Sequence, residues 1–369
     1  TMFVGSFAWS FVYVSLPFYL QALSTADAAT TLRSTGWILG ITALVNVVTA
    51  PLWGRFAERS DPRRLYVLVE FLQGVAFLGM ALARTLPEMF LARFILGFMG
   101  AASTFAFMLV GRDPDEARVR RQVAAIQSAM TVGQVVGPLF GAVAAARLGF
   151  RASFVMGAAM LMGCALLVRW GVPASAARRQ GGPAGKRLGV RDLVPVALLV
   201  LGGSTHIFFL AAILPEVLPA LGVPAERTLE VGGIIIFASG AAAALGSMAA
   251  PRLGEMVGSR RLIPGLLIGA SISVAALAVV SSVWLYGLLR FLQVLCVAPV
   301  FPIVVAGIAY RAGGQAIGTI NAARIGAGFL GPVVAASVVS WSAPWAMYVL
   351  LAAIGLACVP LARLPAARG

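Results

Sequence analysis

Six ionisable side chains stand inside long apolar stretches, where proton transfer, ion pairing or ligand binding needs them most and tolerates them least: Glu70, Arg93, His206, Glu216, Arg290 and Arg324. A charge at the centre of an apolar span costs at least about 2.5–3.5 kcal/mol, so each such residue invites a functional reading. His206 is the only histidine, and imidazole titrates near neutral pH, which suits proton handling; the plainer reading is a hydrogen-bonded packing residue. Arg93 and Arg290 lie about five residues into their stretches. Arg93 either biases a nearby acid, binds a ligand or snorkels to the interface; Arg290 is expected to snorkel. Arg324 lies deeper, about 12 Å along its helix at 1.5 Å per residue, and calls for a water-filled cavity or a buried partner. Glu70 is expected to pair with an arginine. Glu216, after Pro215, reads as a gate, a proton site or an interfacial charge.

Uncharged polar residues recur at helical spacing beside these. Thr42, Asn46 and Thr49 share one face, as do Gln127, Met130, Thr131 and Gln134. Asn321 pairs with Arg324, and Gln293 follows Arg290 by one turn. Aromatic residues Trp9, Phe11, Tyr13 and Phe18 precede them, with Phe208 and Phe209 in the second half. Apolar walls carrying a few polar groups suit a hydrophobic or amphiphilic ligand; interhelical hydrogen bonds and lipid-facing rings are the structural alternative. The candidate binding set is Trp9, Tyr13, Asn46, Gln127, Met130, Gln134, Phe209, Gln293, Asn321 and Arg324. Arg93, His206 and Glu216 are the candidates for proton coupling.

The elements that must hold these residues follow from composition. The chain has 369 residues, of which 60% are hydrophobic and 11% charged, against roughly 25% charged in soluble domains. Apolar runs of roughly 20 residues span a bilayer as helices, because lipid leaves backbone polar groups no other partner. Twelve spans are predicted at 3–22, 36–54, 65–84, 88–110, 122–146, 152–171, 193–218, 229–250, 262–282, 284–308, 316–339 and 344–364. The fold class is an all-α integral membrane protein with two six-helix bundles, 1–171 and 193–369, joined by a Pro-, Gly- and Arg-rich linker at 172–192.

Cys164, Cys296 and Cys358 all fall in apolar runs and read as packing rather than a metal or disulfide framework. No cleavable leader is evident. The net charge of +15 raises nucleic acid as a partner, but the positions of the charges reject it. With the first residues on the cytoplasmic side, twenty of the 28 Lys and Arg lie in cytoplasmic segments and five in outer ones. That bias orients a cytoplasmic-membrane protein with both termini inside and adds attraction to membrane lipids.

The halves repeat at an offset of about 197 residues. Leu16-Pro17 matches Leu214-Pro215, Ala50-Pro51 matches Ala250-Pro251, Arg93-Phe94 matches Arg290-Phe291, and Gly137-Pro138 matches Gly331-Pro332. Glu58-x-x-Asp61-x-Arg63-Arg64 matches Glu255-x-x-Gly258-x-Arg260-Arg261. Two parallel repeats imply alternating access, with a binding site between the halves.

Three segments resemble signatures of the major facilitator superfamily. The loop Gly54-Arg55-Phe56-Ala57-Glu58-Arg59-Ser60-Asp61-Pro62-Arg63-Arg64 is similar to the family's first signature, with Glu58 in place of Asp and Asp61 where Gly is usual. Leu91 through Ala101, with Arg93 followed by Gly97 and Gly100, resembles the second, whose Arg is associated with proton coupling. Gly133-Gln134-Val135-Val136-Gly137-Pro138-Leu139-Phe140-Gly141-Ala142 resembles the antiporter signature of twelve-helix drug:proton exporters, with Ala142 for the usual Gly. The resemblance implies gating roles for Gly54, Glu58, Arg59, Asp61, Arg63, Arg64, Gly133, Gly137, Pro138 and Gly141. It also implies proton-driven efflux of small compounds by a monomer, although the first span lacks the acid common in such antiporters. Transport of a lipid, siderophore or sugar is the alternative, as is a receptor on the same fold. No cofactor, resident metal or enzymatic constellation is expected: there is no metal cluster, no His-containing nucleophile set and no phosphate-cradling loop.

Overall fold

The computed structural model describes residues 1–110, 115–172, 190–309 and 314–362. The expected linker lies almost wholly outside them. Twelve helical segments among the described residues are long and apolar enough to cross a membrane.

The spans follow a repeating triplet. The first member of each triplet is broken, where continuous helices were expected. Span 1 divides into α1 (Met2–Phe11) and α2 (Ser15–Leu23), and span 4 into α5 (Leu86–Phe98) and α6 (Ala102–Val110). Span 7 divides into α9 (Val190–Phe208) and α10 (Leu210–Ala220), and span 10 into α13 (Val283–Val297) and α14 (Val300–Ala309). The second member is one long helix carrying an interior proline. These are α3 (Ala28–Arg59, Pro51), α7 (Glu116–Leu148, Pro138), α11 (Thr228–Val257, Pro251) and α15 (Gly314–Trp341, Pro332). The third is a single shorter helix: α4 (Pro62–Leu82), α8 (Phe150–Gly171), α12 (Ser259–Ala276) and α16 (Pro344–Leu361). The matched prolines of the sequence repeat thus occupy matched places in the fold.

Two spans reach outward by more than a turn. The second span runs Ala28–Ala57 rather than 36–54, and the eighth Ala225–Val257 rather than 229–250. The polar residues that seemed to end them lie on helical turns; Thr35 Oγ1, for example, donates to the Thr31 carbonyl at 2.9 Å.

The matched turns after α3 and α11 are made differently. Gly258 enters α12 at φ 77°, open to glycine and strained for other residues. Asp61 enters α4 at φ −69° and accepts the Arg63 N–H through its side chain, with Pro62 at the first turn. A side-chain cap thus takes the place of glycine's backbone freedom.

Contacts group the chain into two compact units. One holds residues 1–25, 41–181 and 229–237; the other holds 26–40, 182–228 and 238–369. The grouping differs from a cut at the linker by dividing α3 and α11 between the units. Within the second unit the start of α3 packs on α15: Trp37 meets Phe329 edge-on at 5.4 Å, and Gly36 faces Ala336.

Candidate functional site

In the first unit the sequence candidates collect around the break in span 4. A broken helix frees main-chain carbonyls, and in an apolar bundle these need partners. Side chains from two neighbouring helices, α3 and α4, supply them. Gln73 on α4 donates Nε2 to the Met99 carbonyl at 2.6 Å, and its Oε1 accepts Trp9 Nε1, also at 2.6 Å. Trp53 Nε1 donates to the Phe98 carbonyl at 2.6 Å. Thr42 Oγ1 donates to the Arg93 carbonyl at 3.0 Å.

The Gly-rich spacing after Arg93 makes this approach possible. A Cβ on Gly97 would stand 2.6 Å from the Thr42 carbonyl oxygen, and one on Gly100 would stand 2.6 Å from Asn46 Cγ. Arg93 is buried at 6% exposure, with Tyr13, in the break of span 1, in its electrostatic neighbourhood. Trp9, Tyr13, Asn46 and Arg93 therefore meet in one place. Gln73 belongs with them and went unselected: a lone glutamine in an apolar run was the available signal.

The antiporter-like segment of α7 is a contact ladder against α1. A Cβ on Gly133 would lie 2.6 Å from the Phe3 carbonyl oxygen, and one on Gly137 2.8 Å from that of Phe7. One on Gly141 would run into the Phe11 carbonyl. Glycines every four residues thus meet phenylalanines every four residues, and backbones approach closely. Phe7 stacks with Phe11 at 5.6 Å and with Phe140 at 6.1 Å. Gly331, the repeat partner of Gly137, stands in the same way against Phe208 and Phe209 of span 7.

Glu70 departs from expectation. It is 1% exposed, its Oε1 lies beside Gly5 of α1, and Tyr66 and Cys164 interact with it. Among the described residues no arginine forms an ion pair with it, and its Oε2 has no hydrogen-bond partner. The helical register points Glu70 into the bundle, away from the loop arginines.

The second unit is organised by Arg290. Rather than snorkelling, Arg290 is 1% exposed and sits at the break of span 7. Nη1 donates to the His206 carbonyl at 2.6 Å and Nη2 to the Ile207 carbonyl at 2.8 Å. A cation at a helix C-terminus meets the negative end of the helix dipole. Nη1 also donates to Gln293 Oε1, and Gln293 Nε2 reaches His206 Nδ1 at 3.1 Å. The guanidinium stacks 4.9 Å from the Phe209 ring, and Tyr286 and Tyr348 share a hydrogen bond of 3.0 Å nearby. Phe209 and Gln293, proposed as cavity walls, are therefore fully buried parts of this cluster.

Arg324 is exposed at mid-helix, its guanidinium 4.8 Å from the Phe301 ring, in place of a buried partner. Asn321, Gln127 and Gln134 are exposed as well, and Met130 and Glu216 half-buried. Of the first-signature residues, Gly54 leaves a Cβ free of contacts within 4 Å and Asp61 caps α4. Arg63 donates to the Arg169 carbonyl, and Arg64 lies 3.9 Å from Asp61. The side chains of Glu58 and Arg59 lie outside the described residues. Among the described residues no group of three His, Cys, Asp or Glu is placed to hold a metal ion.

With this geometry in view, the chain can be set beside known proteins. The Major Facilitator Superfamily model matches residues 1–224. The multidrug resistance protein MdtG of Citrobacter koseri is 25% identical over 330 residues, 86% of this chain and 80% of that protein. An uncharacterized MFS-type transporter of Bacillus subtilis, YuxJ, is 22% identical over 86% of this chain and 83% of its own length. Among solved structures, the nucleoside transporter NupG superposes with a TM-score of 0.77 at 14% identity, covering 97% of this chain and 96% of that one. A bacterial homologue of the lysosomal transporter Spinster does so with 0.75 at 15%, covering 99% and 93%.

Proposed function

Since the chain belongs to the Major Facilitator Superfamily, whose members here are transporters rather than enzymes, we propose that it is a secondary transporter exporting small hydrophobic or amphiphilic compounds in exchange for protons. The observation that carries this reading is the similarity to MdtG along 86% of the chain. The glycine ladder of α7 against α1, in the segment that resembles the antiporter signature, supports it. The membrane is the cytoplasmic membrane of a bacterium, with both termini inside.

The substrate groups are Trp9, Tyr13 and Asn46 near the span 4 break, together with the exposed Gln127, Gln134, Asn321 and Arg324. Aromatic faces and separated amides in the first unit, and an amide and a cation in the second, suit flat, weakly polar molecules without demanding one shape. Proton exchange is assigned to the titratable groups inside the spans. Glu70 carries the proton in the first unit and His206 in the second, with Arg290 holding the His206 carbonyl, Arg93 beside Tyr13 and Glu216 at the outer end.

The test is transport in liposomes. The purified chain is reconstituted, a pH gradient imposed, and accumulation of ethidium followed beside nucleosides, lipids and sugars. Gradient-dependent movement of ethidium, reduced in Trp9→Ala and Asn46→Ala, is the expected result. Movement of a sugar, lipid or nucleoside alone, or indifference to the gradient, overturns the reading.

A further inference from the structure

An open groove of about 1050 Å³ runs along the seam between α4 and α8. It lies at the end of the bundle where α3 turns into α4 and α8 leads into the linker. Its mouth holds three arginines, Arg63, Arg64 and Arg169, and its walls are apolar, including Leu68, Phe71 and Leu166. These three wall residues are 46%, 49% and 47% exposed. Exposed apolar side chains on such a span are suited to contact with acyl chains. Trp170 joins the lining beside Arg169, and indole rings settle between headgroups and hydrocarbon.

We propose that this groove is a binding site for an anionic phospholipid, its phosphate held by the arginines and the start of one acyl chain lying along α4 and α8. Three guanidinium groups face one carboxylate among the described residues. Asp61 is largely committed: its Oδ1 accepts the Arg63 N–H at 3.0 Å, and its Oδ2 lies 3.9 Å from Arg64. The mouth keeps a positive excess, which matches a headgroup carrying net negative charge and opposes the ammonium of a zwitterionic one. Guanidinium forks pair with phosphate oxygens bidentately. From Arg63 to Phe71 the groove extends eight residues along α4, or about 12 Å at the helical rise. A soluble anion would use only the mouth and leave that apolar length unused. The site is independent of what the protein transports.

Trp170 reports on the site. The full chain is reconstituted in phosphatidylcholine bilayers containing rising fractions of phosphatidylglycerol or phosphatidylcholine brominated on the acyl chains, which quench nearby indoles. The Trp170 signal is taken as the difference between the wild-type chain and Trp170→Phe. Phosphatidylglycerol is expected to associate on the order of tenfold more strongly than phosphatidylcholine. The preference is expected to fall to near unity in the double variant Arg64→Gln with Arg169→Gln and to persist in the matching Lys pair. Millimolar inorganic phosphate is expected to leave it unchanged. Equal quenching by both lipids in the wild type overturns the proposal, as does a preference surviving in the Gln pair. Displacement by inorganic phosphate would make the site one for a soluble anion. If the Gln pair fails to fold, the wild-type comparison and the Lys pair still decide.

Discussion

The guanidinium of Arg290 donates to the main-chain carbonyl of His206 at 2.6 Å, across 84 positions of sequence. The same side chain takes the next carbonyl, Ile207, at 2.8 Å. One residue of α13 thus closes the end of α9 where span 7 breaks. In the first unit neutral side chains serve a different break, that of span 4: Gln73 and Trp53 take the carbonyls of Met99 and Phe98.

Removing Arg290 should therefore act on the fold before it acts on transport. Arg290→Ala leaves two buried carbonyls and Gln293 without their donor, a loss of about 2–4 kcal/mol. Arg290→Lys should recover only part of it, because an ammonium is a point donor and cannot span both carbonyls as a fork does. Thermal unfolding of the detergent-solubilised chain measures both; equal stability of wild type and Arg290→Ala would show that the carbonyls find other partners.

Two glycines marked by the family resemblance carry opposite signs. Gly141→Ala drives a methyl into the Phe11 carbonyl, and overpacking of this kind costs about 1–3 kcal/mol. Gly54→Ala meets nothing within 4 Å and lies inside α3, where alanine favours the helix by up to about 1 kcal/mol. Melting temperature should fall in the first and hold or rise in the second. A fall in transport by Gly54→Ala at undiminished stability would mark that position as part of gating.

Glu70→Gln separates coupling from folding. Glutamine matches the size of the acid, and no ion pair is lost among the described residues, so melting temperature should change by less than about 1 kcal/mol equivalent. Substrate should still cross, but accumulation driven by a pH gradient should drop at least about tenfold. Unimpaired gradient-driven accumulation would remove Glu70 from the proton path.

One surface carboxylate predicts a pH effect with a definite sign. Asp27 accepts the Thr30 N–H at 3.0 Å, and hydrogen bonding from Thr30 holds its carboxyl below the usual aspartate range. A depressed folded value means the contribution is present above the ordinary aspartate value and is lost as pH falls through the lowered one. Wild type should lose more stability than Asp27→Asn on titration from pH 6 to about pH 3, read as a difference in melting temperature; parallel losses would deny Asp27 its capping role.

Much of this protein was legible in the order of its residues. Spans need only length and hydropathy, because lipid cannot satisfy a backbone amide, and all twelve helical segments appear near their expected places. The repeat was legible because paired prolines and glycines keep their spacing. Gly133, Gly137 and Gly141 announced a close helix contact by their interval alone.

Which helix they meet was decided only in three dimensions, since small residues at one interval fit any backbone that comes near. The breaks in spans 1, 4, 7 and 10 were equally hidden, because an apolar run reads the same whether its helix is continuous or interrupted. Arg290 was expected at an interface and is buried; Glu70 was expected beside an arginine and has no ion pair among the described residues. For a residue inside a span, sequence states that a charge exists and how deep it lies. Whether its side chain turns toward lipid, water or a broken helix depends on rotation about the helix axis and on the neighbours packed there, and only tertiary structure sets these.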